Sequence, residues 1–146
     1  TPVPPGQVVV QSLGGKFAQS VTAGRHHSVA DEPRSVGGDD AGPSPYDLLL
    51  SGLGACTAMT LQMYAARKGW ALEHVSVSLV HERVHAKDCE ECPKVDAKVE
   101  RITKQVTLRG DLDDSQRERL LQIADRCPVH RTLHAPPTIV TRLTQE

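Results

Sequence analysis

Residues 44–69, SPYDLLLSGLGACTAMTLQMYAARKG, form a long apolar run whose two ends carry helix punctuation. Ser44 suits an N-cap, Pro45 the first helical position, where a missing N–H costs nothing, and Asp47 the acid of a capping box. Gly69 stops the run. Between the ends, Leu48, Leu49, Leu50, Leu53, Ala55, Cys56, Ala58, Met59, Leu61 and Met63 leave almost no polar face. A helix apolar on all sides is expected to be covered on all sides. Gly52 and Gly54 each cost about 1 kcal/mol against Ala in mid-helix, an expense that close approach of another backbone would offset. One small sheet cannot cover such a helix, so a second copy of the chain is expected to supply the rest, as a homodimer.

Upstream, Val8–Ser12 is β-branched and breaks at Gly14-Gly15, a hairpin signal. Lys16–Ala23 and His26–Ala30 read as two further strands separated by Gly24. Residues 31–43, DEPRSVGGDDAGP, are loop by composition. Downstream, HVSVSLVHERV alternates with Val75, Val77 and Leu79 on one face, and VERITKQVTLRG answers it with Ile102, Val106 and Leu108. A second helix is expected from Asp113, where Gln116 completes a capping box. Its apolar stripe is Leu120, Ile123, Ala124 and Cys127, disturbed by Pro128. TIVTRL, residues 138–143, reads as a closing strand. Strands, helix, strands, helix and strand do not repeat as βαβ units, so the fold class is α+β with antiparallel sheet. Residues 1–6, TPVPPG, are expected to be a disordered lead-in, and residues 7–146 one domain.

The chain has 146 residues and a formal net charge of −1, so no single-sign field recruits nucleic acid or an anionic membrane. Aromatics are 3%, too few for a base-stacking platform. No stretch reads as a membrane span of about 18 apolar residues. Four cysteines are too few for a disulfide scaffold and point to a reducing, cytoplasmic setting. A free cysteine is most often packing material. Cys56 and Cys127, however, are core-facing on separate helices, and two such thiols can come within disulfide reach, about 4.4–6.8 Å between Cα atoms.

GPSPYDLLLSGLGACTAMTLQMYAARKGW, followed by LDDSQRERLLQIADRCPVHRTL, resembles the OsmC/Ohr family of hydroperoxide-detoxifying proteins, and within it the OsmC-like branch typified by YhfA. The likeness runs from about Val8 to Leu143. It implies an intertwined homodimer with long central helices between antiparallel sheets and active sites at the interface. It also implies a two-cysteine peroxidase for organic hydroperoxides, and for hydrogen peroxide, with Cys56 as the peroxidatic thiol and Cys127 as the resolving one. An external dithiol would reduce the resulting disulfide, with no cofactor and no metal. Thiolates, not thiols, attack the O–O bond, so Cys56 needs a nearby cation. By the resemblance this is Arg25, in TAGRHH, with Arg34 as the alternative. Family members hold that arginine with a glutamate at the start of the central helix, but here Tyr46 stands in its place and Asp47 follows. Asp47 could take over, and Tyr46 and Met59 are candidates for lining the substrate site. His130 could contribute a proton or charge, although a satisfied surface histidine is the commoner case. The competing reading is a dimeric module that binds a small molecule or partner and whose thiols are only lining.

CEEC, residues 89–92, follows His81 and His85, so a Cys2His2 zinc site can be drawn. The two histidines lie about 13 Å apart on an extended strand, which one tetrahedron cannot span. An exposed loop pair is the simplest expectation.

Overall fold

The computed structural model describes residues 2–145. The chain divides into two compact units, residues 1–51 and 52–146. In the first unit, β1 (Val8–Ser12), β2 (Gln19–Ala23) and β3 (His26–Ala30) form an antiparallel sheet in that order. Gly14 and Gly15, both at positive φ, turn the chain between β1 and β2. The second strand starts at Gln19, not at Lys16 as the alternation suggested. The lead-in Pro2–Gly6 has no regular secondary structure, though the Val3 N–H donates to Gly24 O at 3.1 Å.

The loop 31–43 is built around one carboxylate. Asp31, buried, accepts from the backbone N–H groups of Glu32 (2.8 Å), Asp39 (3.2 Å) and Ala41 (3.1 Å). The Ala41 bond does most to hold its pKa below the usual carboxylate value; burial opposes it, and the other two bonds add to it.

Helix α1 (Pro45–Lys68) begins with the expected reciprocal cap. Ser44 N–H donates to Asp47 Oδ2 at 3.1 Å, and Asp47 N–H to Ser44 Oγ at 3.2 Å. Its coverage differs from the expectation. Only the stripe Leu53, Gly54, Thr57, Leu61 and Ala65 is buried, while Tyr46, Leu49, Met59 and Met63 stay exposed within this chain. Helix α1 is also long and apolar enough to cross a membrane by length and composition, contrary to the sequence reading. Its buried stripe instead forms the core of the second unit. Gly54 is tightly packed, since a Cβ there would stand 2.8 Å from Leu79 Cδ1, whereas Gly52 has nothing within 4 Å. The close approach is to a side chain, not to backbone.

In the second unit, β4 (Ala71–His85) and β5 (Lys98–Asp111) form one long antiparallel hairpin. Its register slips between Leu72 and His74, opposite Gly110. Gly110 sits at φ 147°, and any Cβ would collide with Ala71 O, so the bulge requires glycine. Helix α2 (Asp114–Ala124) carries the expected Asp113–Gln116 capping box. Leu61 and Ala65 of α1 pack with Leu120, Ile123 and Ala124 of α2 and with Leu112, flanked by Trp70, Val75, Val106 and Leu108. Thus α1 and α2 both bury their stripes on the face of the hairpin that carries Val106 and Leu108.

Two expectations fail near the C-terminus. Helix α2 ends at Ala124, and Cys127 caps a separate short helix, α3 (Pro128–His134). Pro128 therefore opens a helix and does not merely disturb one, in keeping with proline's fitness for the first helical position. TIVTRL forms no strand: residues 138–143 have no regular structure, and Ile139 and Leu143 are 84% and 99% exposed. Among the described residues no strand pairs with them.

Candidate functional site

The second unit brings Cys56 and Cys127 together. Cys56 lies on α1 and is half-buried; Cys127, at the N-cap of α3, is fully buried; both are free thiols. The helical turn that buries Thr57 places Cys56 beside it, on the margin of the core stripe. The Asp125–Arg126 turn after α2 carries the chain back so that Cys127 faces the same spot.

Cys127 Sγ is held from several sides. Thr57 Oγ1 lies 3.5 Å away, and the His130 N–H, one turn into α3, donates to the sulfur at 3.3 Å. Cys56 is close enough to favour the ionised form of Cys127 as well. Burial pushes the Cys127 thiol up. The bonds from Thr57 and the His130 N–H, together with nearby Cys56 and the charge on Lys104, outweigh it and leave the pKa below the ordinary thiol value.

Thr57 and Lys104 were not singled out in the sequence. Thr57 is fully buried; its Oγ1 donates to Leu53 O at 2.9 Å and accepts from Lys104 Nζ at 3.1 Å. Lys104 Nζ also donates to Ala124 O, at the end of α2, at 2.8 Å. A signal for both was present. Lys104 interrupts the core-facing alternation Ile102, Val106, Leu108, and Thr57 is the hydroxyl in the stripe Leu53, Leu61, Ala65.

The remaining candidates are exposed or half-buried. Arg25, in the turn between β2 and β3, and Arg34, in a short 3-10 turn, are exposed residues of the first unit. Asp47 uses its carboxylate in the cap of α1. Tyr46 and Met59 are 52% and 62% exposed on α1. His130 is half-buried, 3.9 Å from Asp125. Burial first, then the Lys104 charge, hold its pKa below 6.5; Asp125 pulls the other way and His134 adds to the lowering.

Cys89 and Cys92 are bonded to each other as a disulfide at the tip of the β4–β5 hairpin, with Cys89 buried. They are not the exposed loop pair expected. His81 lies 3.2 Å from Glu100, and His85 lies 3.2 Å from Asp96, so neither histidine completes the drawn zinc site. Among the described residues no group of three or more His, Cys, Asp or Glu side chains could hold a metal ion.

Comparison with known proteins agrees with this architecture. The family model described as OsmC-like protein matches residues 37–142. No individually curated protein matches the chain. Among solved structures, an OsmC-like protein of Mycoplasma pneumoniae is 19% identical, covering 89% of this chain and 87% of its own, with a TM-score of 0.70. An organic hydroperoxide resistance protein of Legionella pneumophila is 20% identical over 87% and 88%, with a TM-score of 0.62. The organic hydroperoxide resistance protein OhrB of Bacillus subtilis is 18% identical over 89% and 90%, with a TM-score of 0.59. These likenesses are in fold.

Proposed function

The chain belongs to the OsmC-like family, and on that premise we propose that it is a thiol-dependent hydroperoxide reductase. The observation that carries the reading is the meeting of two free thiols of unequal exposure. Cys56, the more accessible, meets the peroxide, while Cys127 waits buried beside it. The Cys56 thiolate attacks the O–O bond, taking one oxygen as a sulfenic acid, while the other leaves with a proton as the alcohol. The Cys127 thiolate then attacks the Cys56 sulfur. An S–S bond forms, the S–O bond breaks, and hydroxide leaves to become water. An external dithiol returns both thiols to the reduced state, a cycle suited to a reducing, cytoplasmic compartment. Two solved relatives in fold carry hydroperoxide resistance in their names.

The same reading assigns Arg25, or Arg34 in its place, to the Cys56 thiolate, and a homodimer to the uncovered faces of α1. Slower alkylation of Cys56 at neutral pH in Arg25→Ala or in Arg34→Ala tells the two arginines apart. A second reading, a module that binds a small molecule or partner, is favoured by one observation: Asp47, nearest the expected glutamate, is engaged in capping α1. Steady-state peroxide consumption with a dithiol separates the two. The reductase loses turnover in Cys56→Ser, whereas a binding module shows no dithiol-dependent consumption to lose.

A further inference from the structure

Lys104 is a cation on the wrong face of a strand. It sits half-buried among the core-facing positions of β5, where each neighbour two residues away is apolar. Among the described residues no carboxylate lies within ion-pair distance of it; it donates to the Thr57 hydroxyl and the Ala124 carbonyl. A partly desolvated ammonium without an anion is costly unless an anion forms beside it. The sulfur of Cys127 is one hydroxyl away.

The hydroxyl can serve either state of that sulfur. Thr57 Oγ1 has one hydrogen, which it gives to Leu53 O at 2.9 Å, and it accepts from Lys104 at 3.1 Å. While Cys127 is a thiol, its S–H donates to Thr57 Oγ1 across 3.5 Å. Once the thiol proton has left for solvent, the hydroxyl can turn and donate to the sulfur, with the lysine still on its lone pair. The other groups around Cys127 are Cys56 on α1 and His130 on α3, with Asp125 and His134 flanking His130.

We propose that Lys104 is a positioning residue for the second half of the cycle: acting through Thr57, it holds Cys127 as the thiolate aimed at the Cys56 sulfur. This rests on the reductase reading, and it concerns a different step from the one the arginine serves. The step balances as above: the Cys127 sulfur supplies the electron pair of the new S–S bond, and hydroxide departs from Cys56 and is protonated to water.

The plainer role for Lys104 is to cap the last carbonyl of α2, which favours a positive charge. Lys104→Gln separates the two, because an amide can still donate to Ala124 O but carries no charge. In a Cys56→Ser background, the ultraviolet absorbance of the Cys127 thiolate is titrated against pH, with Cys127→Ser as the blank. Lys104→Gln and Thr57→Val should move the titration upward, lowering the thiolate fraction at neutral pH up to roughly tenfold for each unit. Lys104→Arg and Thr57→Ser should bring it back. In the chain with both thiols, Lys104→Gln should let the Cys56 sulfenic acid accumulate after one equivalent of peroxide, trapped by a 1,3-diketone, while its formation keeps the parent rate. A Lys104→Gln titration that coincides with the parent overturns the proposal, and so does an upward shift that arginine fails to reverse. Because the titration needs no peroxide, it decides on Lys104 even if Cys56 never forms a sulfenic acid, the result that would sink the reductase reading itself.

Discussion

The molecule holds two cysteine pairs in one unit, and they have opposite surroundings. Cys89 and Cys92 close a short loop at the hairpin tip, far along β4 and β5 from the core residues Val75, Val106 and Leu108. Cys56 and Cys127 are 71 positions apart in sequence, remain free, and meet where two helices and a strand converge. The first pair has used its chemistry on itself. The second is supplied with a buried hydroxyl, a backbone N–H and a cation, the groups a thiolate needs. Surroundings, not spacing in sequence, rank the second pair above CEEC.

The largest expected effect sets the pairs directly against each other. Cys56→Ser should abolish dithiol-dependent peroxide consumption, while the double substitution Cys89→Ser/Cys92→Ser should leave it near the parent rate and cost about 2 kcal/mol or less of stability, since the closed loop is short. Loss of activity in the double variant, measured by the same assay, would reverse the ranking.

Next in size is the packing beneath the free pair. Leu120 is fully buried against Leu61 and Ala65, so Leu120→Ala should lower unfolding free energy by about 2–5 kcal/mol in denaturant titration. That is more than removal of the tip disulfide should cost.

The smallest effect is a pH dependence beside Cys127. His130 is held below 6.5 in the folded state. As pH falls below 6.5 the unfolded chain takes the proton first, so His130 makes stability decline from there down to its folded pKa. His130→Asn should flatten that part of the stability profile, read from thermal unfolding between neutral and mildly acid pH. An unchanged slope would mean that His130 titrates as a surface histidine does.

Local signals in the sequence were enough for most elements. The caps at Ser44 and Asp113 and the alternation of β4 and β5 are near-neighbour effects, and they are found where the residues put them. TIVTRL misled because alternation specifies a strand only where another backbone accepts its hydrogen bonds, and among the described residues of this chain none does so. Cys127 was placed on the right side of the core but in the wrong element, because Cys-Pro reads equally as the end of one helix and the start of another. Its companions Thr57 and Lys104 come from α1 and β5. Their polarity at core positions was visible, but the sulfur they share was not, since only the tertiary fold joins them.

The most direct test of the Cys56–Cys127 pair is to add one equivalent of an organic hydroperoxide to the reduced protein and map its peptides without reductant. An intrachain Cys56–Cys127 disulfide should appear as both free thiols vanish together. If both thiols remain open to alkylation after unfolding, or only Cys89 and Cys92 are found oxidised, Cys56 and Cys127 are packing and not a working pair.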